Sequence, residues 1–191
     1  MTLYTEEFFR NRVGSMTASA AETRLRTASK AASGEFDIFL SHSSRDAQVI
    51  YGVREWLTAQ GLRVYVDWID DPELDRSAVS PATAARLREQ MGNSRSLIYA
   101  TSRAAKTSRW MPWELGYFDG SKGSPRVSLM RLDSSSNNRF VGEEYLGLYK
   151  QIEYLRAPDG INRPYALLTS RKKAEPLDSF AHASNRYVDV S

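Results

Sequence analysis

Apolar positions along this chain recur with two different periods, and the switching between them predicts the fold. The stretch 36-FDIFLSHSSRD-46 opens with Phe36, Ile38, Phe39 and Leu40, a nearly continuous apolar run between Gly34 and a serine cluster. Such a run predicts a strand buried in a parallel sheet. Over residues 45–60 the period becomes helical: Val49, Val53, Trp56 and Leu57 share one face, Ser43 or Ser44 is placed to cap the start, and Gly61 closes the end. Residues 62-LRVYVDW-68 then read as a second strand, β-branched and aromatic. Strand, helix, glycine and strand form a βαβ unit with a right-handed crossover.

The alternation continues. A polar loop, 69-IDDPELDRSAVS-80, leads to a helix capped by Ser80 with Pro81 in its first turn and Ala84, Leu87 and Met91 on its buried side. A third strand is expected at 96-SLIYAT-101, a helical region after Ser102, a fourth strand at 125-PRVSLMRL-132, loop at 133–142, a fifth strand at 150-KQIEYL-155 and a short helix at 175–184. Before all of these, residues 5–30 read as one helix, with Phe9, Val13 and Met16 at helical spacing, ended by Ser33-Gly34. The pattern predicts an α/β fold: a central parallel five-stranded sheet with helices on both faces, plus an extra N-terminal helix. Residues 1–34 form the helical extension and 35–191 the domain proper.

Composition narrows the function more than the fold. The 191 residues fit one domain of ordinary size. With a net charge of +3 and no block of like charges longer than Arg171-Lys172-Lys173, nucleic acid is not an expected partner. The absence of cysteine excludes disulfides, thiolate metal sites and cysteine nucleophiles, and two histidines, His42 and His182, exclude a multi-histidine metal site. The start is unlike a secretory signal and no segment reaches the ~20 apolar residues of a membrane span, so a cytoplasmic location without membrane contact is expected.

In open parallel sheets, ligands bind beyond the carboxyl ends of the strands. Ser41, His42 and Ser43 follow the first strand, Asp67 and Trp68 end the second, and Thr101 and Ser102 follow the third. The most distinctive chemistry lies in 108-SRWMPWELGYFDG-120. On a helix, Trp110, Glu114 and Tyr117 share one face and Met111, Leu115 and Phe118 another. Pro112 is comfortable only in a first turn, which puts Glu114 near a helix N-terminus, where the dipole favours an ionised carboxylate. Two readings of Glu114 follow. It is a carboxylate that merely complements the helix dipole, or it is the anion of a site lined by Trp110, Trp113 and Tyr117, suited to stabilising a developing oxocarbenium ion. His42 can likewise be a loop or capping residue, and Asp67 a cap for the following loop.

Four pieces in order, 36-FDIFLSHSSRD-46, 61-GLRVYVDW-68, 96-SLIYATS-102 and 108-SRWMPWELG-116, resemble the TIR (Toll/interleukin-1 receptor) domain family, and PWELGYFDG looks most like small prokaryotic members of anti-phage, Thoeris-like defence systems. The resemblance implies a flavodoxin-like fold and an NAD+ nucleosidase or ADP-ribosyl cyclase. Such an enzyme cleaves the nicotinamide–ribose bond to give nicotinamide and ADP-ribose or a cyclic ADP-ribose isomer. NAD+ is then a substrate, with no cofactor and no metal. By the same resemblance Glu114 is catalytic. Ser41, His42, Ser43, Asp67, Trp68, Trp110, Trp113 and Tyr117 contact the substrate. Self-association through TIR–TIR contacts and a separate effector responding to the product are the implied protein partners. One departure stands out: 69–80 contains no glycine, whereas many members carry one in the corresponding loop. A non-catalytic TIR scaffold is the alternative. A receiver domain fits poorly, because Ser41 and His42 stand where it needs acids, and a nucleoside deoxyribosyltransferase-like enzyme would be separated by its substrate.

Overall fold

Strand β1 (Phe36–Ser41) is buried at every position, because the sheet it belongs to is covered on both faces. Ile38 and Leu40 pack in one core cluster, and Phe39 packs in the other together with Phe36 at the start of the strand. From Ile38 to Ser41 the two-residue period of the pleat makes this division automatic. The structure, a computed structural model, describes residues 4–21, 23, 34–43, 47–66, 80–102, 105, 108, 110–132, 144–157, 159–168 and 173–189.

Helix α1 (Glu6–Val13) precedes β1, and α2 (Ala47–Thr58) links it to β2 (Val64–Tyr65). Helix α3 (Pro81–Gly92), strand β3 (Ser94–Thr101), helix α4 (Trp110–Lys122) and strand β4 (Val127–Arg131) follow. Strands β5 (Lys150–Arg156), β6 (Asn162–Leu167) and β7 (Lys173–Pro176), helix α5 (Leu177–Ala181) and strand β8 (Val188–Asp189) complete the order. The sheet has eight strands in the order β2-β1-β3-β4-β5-β6-β7-β8. Pairing is parallel from β2 through β5 and antiparallel from β5 through β8. The parallel part has the five strands expected and the flavodoxin-like order, whose switch point lies between β1 and β3. The three antiparallel strands beyond it extend the sheet past that expectation.

One face carries α1, α2 and α5: Phe9, Val49, Ile50, Val53, Leu57 and Phe180 pack on Ile38, Leu40, Ile98 and Met130. The other carries α3 and α4: Leu87, Met91, Met111, Leu115 and Phe118 pack on Phe39, Leu97, Tyr99 and Leu129. Local signals set several ends. Ser80 accepts the Thr83 amide at the start of α3, with Pro81 in the first turn, and Gly61, at φ 83°, closes α2.

The helix expected over 5–30 is shorter. Thr5 caps α1, which ends at Gly14, where φ is 59° and the amide turns back to Asn11. Helical residues resume at 18–21, with Thr17 accepting the Ala20 amide, and 24–33 fall outside the described residues. The helix expected over 175–184 is likewise confined to α5, because Lys173–Pro176 pair as β7. Most of the loops at 69–80 and 133–142 also lie outside the described residues.

Candidate active site

Ser41, the last residue of β1, shares its side of the strand with Phe39, so its hydroxyl faces the α4 side of the sheet. There it donates to Glu114 Oε2 at 2.5 Å. Ser41 is 1% exposed and Glu114 0%. Beside it in register lies Tyr99 of β3. The carboxylate therefore sits at the carboxyl end of β1, next to the switch in strand order where ligands of such sheets bind.

Helix α4 brings Glu114 there. At ~100° per residue, Trp110, Glu114, Phe118, Met111 and Leu115 occupy one continuous arc. All five are buried. The sequence reading divided this arc into an aromatic face and a core face; packing joins them, and Glu114 lies inside the joined face rather than on an exposed rim. The helix begins early enough to tolerate Pro112, and Ser108 accepts the Met111 amide at 3.3 Å.

The remaining predicted residues fall into three groups. His42 and Ser43 are buried just beyond β1; His42 Nδ1 lies 3.0 Å from the Leu40 carbonyl, which fixes the ring against the strand end. Trp110 is buried, and its ring meets Trp113 edge-on, with centroids 5.4 Å apart. Trp113 and Tyr117, half-buried, stack at 5.7 Å and 17°, and the Arg88 guanidinium from α3 lies over both rings, 5.3 and 5.8 Å from their centroids. These two rings thus brace α3 against α4. Asp67 and Trp68 lie outside the described residues. Arg88 was not anticipated; its place in an α3 sequence facing an unknown partner gave no signal. Among the described residues no group of three or more acidic or histidine side chains comes together to hold a metal.

Comparison with known proteins bears on this arrangement. The chain is 50% identical over 117 residues to a protein of Bacillus cereus (strain MSX-D12) named "Probable 3' cyclic ADP-D-ribose synthase ThsB'", an overlap of 61% of this chain and 60% of the relative. It is 29% identical over 83 residues to "Putative cyclic ADP-D-ribose synthase TIR2" of Cytobacillus dafuensis, 43% of this chain and 22% of that protein. The chain thus matches less than two thirds of the length of each. The model of the TIR domain matches residues 38–165. Because that match runs from Ile38 in β1 to Tyr165 in β6, across the sheet and Glu114 alike, this chain belongs to the TIR domain family.

Proposed function

We propose that the protein is a TIR-domain NAD+ cyclase, which cleaves the nicotinamide–ribose bond and makes a cyclic ADP-ribose signal in anti-phage defence. The observation that carries the reading is the buried Glu114 carboxylate, bonded to Ser41 at the carboxyl end of β1. The names of the two related synthases support the substrate and the cyclic product.

The chemistry suits one buried carboxylate. The nicotinamide of NAD+ leaves as a neutral molecule from a cationic pyridinium, so its departure needs no strong acid. As the C–N bond lengthens, positive charge develops on the ribose carbon and ring oxygen. Glu114 stabilises that charge, and does so strongly where water is excluded. A ribose hydroxyl that reaches the cation closes a ring and releases one proton; water reaching it first gives linear ADP-ribose. His42, Ser43, Asp67, Trp68 and Trp110 are the proposed substrate contacts, with Trp113 and Tyr117 beside them, and Ser41 adjoins them through its bond to Glu114. Self-association through TIR–TIR contacts, action in the cytoplasm and a separate effector that responds to the product complete the proposal. Among the described residues no helix is long and apolar enough to cross a membrane.

The test is nicotinamide release from NAD+ at high protein concentration, with products resolved by chromatography and mass spectrometry. Glu114→Gln keeps the shape and removes the charge. It is expected to lower release by about 10²-fold or more while leaving the fold intact. Equal release from both proteins would place the chemistry elsewhere.

A further inference from the structure

Resting on that reading of Glu114, we infer that Ser41 is a positioning residue, which holds the catalytic carboxylate rather than contacting NAD+. A serine hydroxyl has a single proton to donate. In Ser41 that proton goes to Glu114 Oε2, at 2.5 Å, the separation typical of a hydroxyl on an ionised carboxylate. Ser41 therefore has no donor left for a substrate oxygen.

Its mounting suits the task. Ser41 ends the strand flanked on one side by β2 and on the other by β3, with Tyr99 as its own partner in the register. A glutamate on a helix reaches its carboxylate through three torsions, so a partner on the helix itself would leave the group mobile. A partner on a central strand fixes one oxygen relative to the sheet and narrows the positions open to the other. Displacing a catalytic group by about 1 Å can cost about 10²-fold in rate. Ser41 is also buried with Glu114, so the bond forms in a place where a stray conformer of either side chain has little room.

Two measurements test this. In steady-state kinetics, Ser41→Ala is expected to lower kcat about 10- to 100-fold with KM nearly unchanged, and Ser41→Thr, which keeps the hydroxyl, to recover most of the loss. A rise in KM at constant kcat would instead make Ser41 a substrate contact and overturn the inference. The second measurement needs no activity: urea unfolding of the wild type, Ser41→Ala, Glu114→Ala and the double variant, since alanine, unlike glutamine, leaves no acceptor for the Ser41 hydroxyl. A bond between the two side chains predicts coupling of about tenfold or more in the unfolding equilibrium constant, whereas simple additivity would overturn it. Coupling in a wild-type protein that releases no nicotinamide would overturn the enzymatic reading and with it Ser41's role in catalysis, while leaving the bond itself established.

Discussion

At Gly52 the backbones of α1 and α2 nearly touch. A Cβ there would lie 2.6 Å from the Phe9 carbonyl oxygen and 3.0 Å from the Phe9 Cβ. Neither helix can yield cheaply, since Phe9 is fully buried and α2 packs on the sheet. Gly52→Ala should therefore destabilise by about 1–3 kcal/mol despite alanine's better helix propensity. At Gly116 in α4, nothing lies within 4 Å of an added Cβ, and Gly116→Ala should stabilise by about 0.5–1 kcal/mol. Thermal unfolding of the two variants reads the opposite signs directly. At this scale the sequence was informative where a residue acts on its neighbours. Ser80, Pro81 and Gly61 announced their roles because caps and helix ends are local. The Ser41–Glu114 bond spans 73 positions and was not visible, although the alternation of β1 already put Ser41 on the side of Phe39.

Among the elements, the parallel strands were legible and the antiparallel ones were not. Strands β1, β3 and β4 are apolar on both faces, which is a strong signal. Strand β6 contains Pro164, which pairs with Tyr154 of β5 but lies beyond the stretch of β6 that meets β7, so its missing amide costs no ladder bond there. Strand β7 reads Lys-Ala-Glu-Pro, yet Glu175 is fully buried. Its partner is Lys150 of β5, whose ammonium sits 2.5 Å from Glu175 Oε2 and also donates to the Pro125 carbonyl and the Tyr187 hydroxyl. Ser179 of α5 donates to the other Glu175 oxygen. One ion pair thus fastens the antiparallel extension to the parallel sheet. Lys150→Met leaves a buried charge with a weaker partner set and should cost about 3–5 kcal/mol. The double variant Lys150→Met, Glu175→Leu should be considerably more stable than the single one. Urea midpoints of the two proteins decide this, and a double variant no better than the single would show that the pair contributes more than it costs in desolvation.

For the molecule as a whole, the candidate site occupies one end of the parallel strands, while the antiparallel extension grows from the far side of β5. The segment that leads into β5 is tied to α4 by Tyr149, whose hydroxyl donates to Asp119 at 2.9 Å. Burial, then the bond and the charge of Asp119, push this phenol up to about 12. An unfolded tyrosine ionises near ~10. The folded group therefore holds its proton more tightly, and its contribution to stability is complete below pH ~10 and lost as pH rises through about 12. Tyr149→Phe should flatten the alkaline fall in stability over that window, as followed by unfolding midpoints from pH 9 to 12. A second feature acts over the same distances. The Tyr4 ring lies 4.9 Å from that of Trp56 and 6.0 Å from that of Tyr154, and the Glu6 amide donates to Leu132 beyond β4. During synthesis Tyr4, Phe8 and Phe9 leave the ribosome long before Tyr154 exists. At ~5–20 residues per second Tyr4 waits roughly seven to thirty seconds for Tyr154. Until then the side of Tyr4 that Tyr154 covers stays open to chaperones and to other chains, so the packing around α1 is completed only once β5 has been made.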